Sequence, residues 1–231
     1  MTIRQAMFVL LAFLMPAPAL ADLTVTYGAP RAAFTMTIEI AANGDLRGDV
    51  GRPGTYFITR AGHGYFITDS PSGPLVMRVE DMATVMAEQM GKLDPHFREE
   101  MEGAPALDLV EKGTVVINGR TGSAWYLKLQ DGQLSPKPWV VISHDPELAP
   151  LGRAMAVQFD MSTAMMGGIM GTGPFKVMQD IFKTGAPISF ADSEVKTVSN
   201  APIPSGHFEL PAQPAALDAV RKHMTPATPK P

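Results

Sequence analysis

The side chains able to do chemistry are few and scattered. Five histidines (His63, His96, His144, His207 and His223) include no close pair and no His-Glu-x-x-His, so the spacing of a zinc site is absent. There is no cysteine, which removes thiolate ligands, thiol nucleophiles and disulfides together. Ser70, Ser72, Ser123 and Ser143 lie in no Gly-x-Ser-x-Gly elbow. Gly113 to Gly119 is not followed by Lys-Ser or Lys-Thr, so it reads as a hairpin rather than a phosphate loop. Glu99, Glu100 and Glu102 read as a solvated helix face. These patterns predict a protein that is not an enzyme and carries no cofactor.

Methionine is the informative excess, at 16 residues. The residues cluster between Met77 and Met101 and between Met155 and Met178, both segments with helical spacing. Thioether side chains are flexible and polarisable, so they suit a cavity that must adapt to an apolar guest. Met82, Met86 and Met90 lie four apart on one predicted helix, with Phe159, Met166 and Met170 on another. Trp125 and Trp139 fall in neighbouring predicted strands, where they would floor such a cavity or pack the sheet. These eight residues are the expected lining of a pocket for lipid, acylated or other hydrophobic ligand. Plain core packing explains the same spacing. The alternative is copper(I) held by methionine sulfurs, at Met82, Met86 and Met90 or at Met161, Met165 and Met166, since soft thioethers select that ion.

The elements that would position these groups are strands first. In 34–40, Phe34, Met36, Ile38 and Ile40 alternate with Thr35, Thr37 and Glu39, the period of a half-buried strand. Short strands follow at 56–59, 65–69 and 75–79, and a second block runs from Thr114 to Ser143. Asn43-Gly44, Asn118-Gly119 and Asp131-Gly132 are hairpin dipeptides, so the strands are expected to form an antiparallel meander. Val195 to Ser199 and His207 to Leu210 are further strand candidates. Asp81 is placed to cap a helix carrying Met82, Val85, Met86, Met90 and Leu93, and Asp94-Pro95 to start a short one through Met101. A helical stripe follows Asp145-Pro146, broken by Gly167, Gly168, Gly171 and Gly173, and Pro174 opens another.

The 231 residues carry a formal net charge of −4, which argues against a dedicated nucleic-acid binder. At the start, Arg4, the apolar run from Ala6 to Met15 and Ala19-Leu20-Ala21 have the layout of a signal peptide cut after Ala21. The run is about half of the roughly 20 residues needed to span a bilayer. The expected organisation is a signal peptide at 1–21, one domain at 22–211, and a tail at 212–231 with a short helix from Ala215 to His223. The expected location is the periplasm. No stable membrane span is expected.

Val115-Val116-Ile117-Asn118-Gly119-Arg120-Thr121-Gly122-Ser123-Ala124-Trp125-Tyr126, then Pro138-Trp139-Val140-Val141, then a late run from Val198 to Pro211 ending Phe208-Glu209-Leu210-Pro211, together resemble a family of exported bacterial proteins whose domain has no assigned function. That family is similar in layout to the periplasmic lipoprotein carriers of the LolA and LolB type. The resemblance implies an α+β fold in which a strongly curved antiparallel sheet, a half-barrel, holds helices on its concave face. The chain departs from the carriers in opening directly in strand and in its methionine content. No site residue of the carriers can be matched to a position here.

Overall fold

The computed structural model describes residues 22–29, 35–92, 107–165 and 174–225. The expected signal peptide, Phe34, the short helix from Asp94-Pro95 to Met101, Met166, Met170 and the four glycines from Gly167 to Gly173 lie outside the described residues. The rest is an α+β fold: eleven strands in one antiparallel sheet that does not close, and four α-helices.

The first six strands are a simple meander: β1 (Leu23–Gly28), β2 (Thr35–Ile40), β3 (Leu46–Arg52), β4 (Thr55–Arg60), β5 (His63–Ser70) and β6 (Gly73–Arg78). Alternation does what the sequence predicts on β2, burying Met36, Ile38 and Ile40, and the same period buries Leu23, Val25 and Tyr27 on β1. Gly44, at φ +89°, makes the expected turn between β2 and β3, and Ala41 N–H donates to Asp45 O across it. After helix α1 (Val79–Met90) the second meander is β7 (Leu109–Ile117), β8 (Arg120–Leu127), β9 (Val140–Ser143), β10 (Ala186–Phe190) and β11 (Ser193–Ser199). The spatial order is β6-β5-β4-β3-β2-β1-β11-β10-β9-β8-β7, so the meanders join where β1 pairs with β11.

Helix α2 (Ala149–Met165) enters through a 3₁₀ turn at Pro146–Leu148, with the Asp145 carboxylate accepting from Glu147 N–H. It packs on β10, β1 and β2 and against α1 and α3 (Pro174–Phe182). An edge-to-face series Phe159–Phe182–Phe190–Tyr27 fills the space between helices and sheet. At the hairpin tip between β7 and β8, Asn118 donates through Nδ2 to Val195 O of β11 at 2.7 Å, although β9 and β10 stand between those strands.

The other face of the first meander is covered by the C-terminal segment, which crosses strands instead of running beside one. Ile203 N–H donates to Asp22, His207 meets Glu39, and Leu210 and Ala212 pack on Ile58, Ile67 and Val76. Ala215 N–H then donates to Val76 O at the β6 edge, and α4 (Leu217–Met224) docks on α1.

Three expectations are corrected. His207 to Leu210 is not a strand: Ser205–Phe208 is a 3₁₀ turn, because a segment lying across a sheet has no ladder to join and closes its hydrogen bonds locally. Asp81 does not cap α1, which starts directly from β6 at Val79; Asp81 sits in its first turn beside Glu80, where negative charge suits the helix dipole. Asp131-Gly132 makes a tight turn, but its flanks pair through one isolated bridge, Lys128 with Leu134, and β8 has already ended at Leu127.

Candidate functional site

The space between α2 and the sheet is not completely filled, and two strand glycines let side chains lie close to the sheet there. Gly64 on β5 faces α2, and a Cβ there would come within 2.4 Å of Met161 Cε and 2.8 Å of Val79 Cγ2. Gly48 on β3 lies beneath the Phe57 ring, whose nearest atom a Cβ would meet at 1.8 Å. Glycine inside a strand marks such a close approach. Met161 and Phe57 therefore lie low over the strands, and the helix stands over two clefts.

One cleft, of about 170 Å³, runs between β4–β5 and α2 and is lined by Phe57, Phe66, Val79, Gln158 and Met161. The other, of about 340 Å³, opens towards the β2–β3 turn and is lined by Ile40, Leu46, Pro150, Arg153, Ala154 and Val157. Thr59, on β4 and 8% exposed, lines both, and its hydroxyl donates to Met161 Sδ at 3.6 Å. Gln158 Oε1 is buried with no hydrogen-bond partner among the described residues. Among the described residues, Arg153 is the only charged one lining either cleft. The chemistry on offer is apolar contact, the hydroxyls of Thr59, Tyr65 and Ser162, the amides of Asn43 and Gln158, and one guanidinium.

The structure places the expected lining elsewhere. Met82 is buried against Met77, Val85 and Val220, so its thioether belongs to the packing of α1 on β6 and α4. Met86 and Met90 are half-buried on the same helix. Trp125 packs against the main core, and its carbonyl accepts from Trp139 N–H at 2.7 Å, while the Trp139 side chain is 38% exposed. Phe159 stands edge-to-face on Phe182, with ring centres 5.2 Å apart. None of these six lines either cleft. The two tryptophans are joined through the backbone, while Met82 and Phe159 pack in separate clusters. The residues that do line the clefts were missed, although Gly48 and Gly64, each inside a strand, were the available signal.

A third concavity, of about 620 Å³, is polar and lies at the β7–β8 hairpin, lined by Thr114, Asn118, Arg120, Ser123, His144 and Asp145 among others. Its guanidinium is engaged, with Arg120 Nη1 2.8 Å from Asp145 and 3.1 Å from Glu147. The Ser143 hydroxyl accepts from Asp145 N–H, and no serine hydroxyl meets a histidine ring among the described residues. No group of three or more His, Asp or Glu residues is placed to hold a metal among them either. No helix there is long and apolar enough to cross a membrane.

Outside these sites, Tyr27 and Glu88 are among the groups whose pKa values are displaced with clear causes. Burial pushes the Tyr27 phenol well above its ordinary range while its hydroxyl donates to Pro187 O at 2.5 Å. The hydrogen bond from Arg221 holds the Glu88 carboxyl below its usual range, which clamps α4 to α1. Comparison with known proteins returns no match of the chain to a family model, a curated protein or a solved structure.

Proposed function

We propose that the chain is an exported, non-enzymatic binding protein that holds a hydrophobic guest between its sheet and α2. The observation that carries this reading is the pair of adjoining clefts under one helix, both lined by Thr59 and both otherwise mainly apolar. The larger falls within the roughly 300–1,000 Å³ of ligand pockets, and the smaller does not. Displacing Met161 from Thr59 would join them. A thioether is suited to that, because its side chain has several rotatable bonds and gives up only a weak hydrogen bond.

The sheet is read as a half-barrel around the helices, as in the lipoprotein-carrier layout. Two observations favour this. Strand twist of about 20–25° per neighbour would accumulate to roughly 200–250° over a sheet of this width, which argues against a flat one. The bond from Asn118 to Val195 also spans strands that would hold its partners about 14 Å apart in a flat sheet at about 4.7–4.9 Å spacing. Export follows from the leader pattern, with Asp22 as the first mature residue. The mass of protein recovered from the periplasm should begin at Asp22.

The test of binding is native mass spectrometry of that protein, together with uptake of a neutral alkyl-chain fluorophore. The expected result is a bound apolar species, and uptake lowered at least tenfold in Gly64→Val, whose added methyls take the place of Met161 and Val79. Protein that is consistently empty and takes up no fluorophore would overturn the reading.

A further inference from the structure

We infer that the guest is a long-chain fatty acid, its carboxylate at Arg153 and its chain running under α2 past Thr59; this rests on the reading of the clefts as a binding site. The larger cleft has an apolar body of Ile40, Leu46, Pro150, Ala154 and Val157, and Arg153 is its one charged lining residue. Arg153 makes no ion pair or hydrogen bond among the described residues, whereas Arg47, Arg120 and Arg221 are each committed to carboxylates. A cation kept free beside an apolar cleft complements an amphiphile with an anionic head.

The geometry also orders the two ends. Arg153 and Val157 are exposed and one helical turn apart, so they mark the solvent side, and Val157 adds apolar surface beside the cation. Thr59 and Met161 lie at the inner end, and beyond them Phe57, Phe66 and Val79 line the smaller cleft. The head therefore stays in water and the chain enters first. A carboxylate suits the site better than a phosphate monoester: the guanidinium's parallel N–H donors fit either head, but its single positive charge neutralises a carboxylate and leaves part of a monoester's charge of about −1.5 to −2 uncompensated. Asp45, in the β2–β3 turn, is not among the lining residues, and its carboxylate accepts from Asn43 and from Ala61 N–H.

The experiment uses the delipidated mature protein and competition against a neutral alkyl fluorophore. Three competitors share one acyl chain: palmitate, monopalmitoylglycerol and palmitoyl lysophosphatidylglycerol. For a solvent-facing ion pair, palmitate should compete about threefold to fivefold better than the neutral glyceride, with the preference shrinking as salt rises. Arg153→Gln should bring that ratio to about one, with palmitate losing more affinity than the glyceride, and Arg153→Lys should keep part of it. Arg153 is exposed, so neither substitution threatens the fold. A ratio of one in the wild type, or one that survives Arg153→Gln, overturns the fatty-acid inference while leaving the apolar cleft standing. Lysophosphatidylglycerol ahead of palmitate overturns it in favour of a phosphate head. If none of the three competes and the fluorophore itself does not bind, the broader reading fails as well.

Discussion

At the scale of single residues, Tyr27 is the most constrained side chain. It is wholly buried, stands edge-to-face on Phe190, and closes its hydroxyl onto Pro187 O. Removing that hydroxyl strands a buried carbonyl, so Tyr27→Phe should cost about 1–3 kcal/mol at neutral pH, read as a lower urea midpoint. The folded chain retains the phenol proton far above the pH at which the unfolded chain releases it. Stability from this group is therefore complete below about pH 10 and declines above it, by about 1.4 kcal/mol per pH unit. Tyr27→Phe should flatten the alkaline decline relative to the wild type; an identical slope in both would show that the phenol ionises equally in the two states. Both halves of Tyr27's role have different legibility. Its inward direction follows from the alternation of β1. Its hydroxyl partner lies 160 positions away, which no local pattern encodes.

At the scale of elements, the hairpins carrying glycine were readable because Gly44 and Gly119 supply positive φ at no steric cost. The β10–β11 hairpin was not readable. Its turn places Ala191 at φ +49°, a conformation disfavoured for alanine, and Ala186–Phe190 is a short buried run with no glycine beside its turn. The helices were legible by period, but their partners were not: the spacing of Met82, Met86 and Met90 says that one face is apolar, not whether a cavity or α4 covers it. Over Met82 the covering is β6 and α4, the latter held by the Arg221–Glu88 pair at 2.8 Å. Because Arg221 lowers the Glu88 pKa, the clamp is intact at neutral pH and weakens as pH falls through the depressed carboxyl range. Amide exchange across Leu217–Met224, corrected for intrinsic rates, should speed up on acidification. Arg221→Met should show the fast rate already at neutral pH. Exchange that does not respond to pH in the wild type would mean that Val220 and the Ala215–Val76 bond hold α4 unaided.

At the scale of the molecule, the architecture makes two local meanders depend on one distant seam. β1 pairs with β11 from Thr24↔Ser199 onward, and Asp22 reaches both Ala42 and Ile203 on either side of it. Neither meander can bury Val25, Tyr27 and Val195 without the other, since these residues lie at the junction and belong to one core. This joint burial predicts one cooperative unit, and the sequence supplies the probes. Both tryptophans, Trp125 and Trp139, lie in the second meander, whereas β4 and β5 report on the first. Urea unfolding followed by tryptophan fluorescence and by exchange of the β4–β5 amides should give one midpoint. Val195→Asp, which puts an unpaired carboxylate at a residue 3% exposed, should lower both probes together by about 3 kcal/mol or more. Separated midpoints, or a Val195→Asp effect confined to the tryptophans, would divide the chain into two units. The helices would then sit between them, and a guest under α2 would be gripped by the first meander alone.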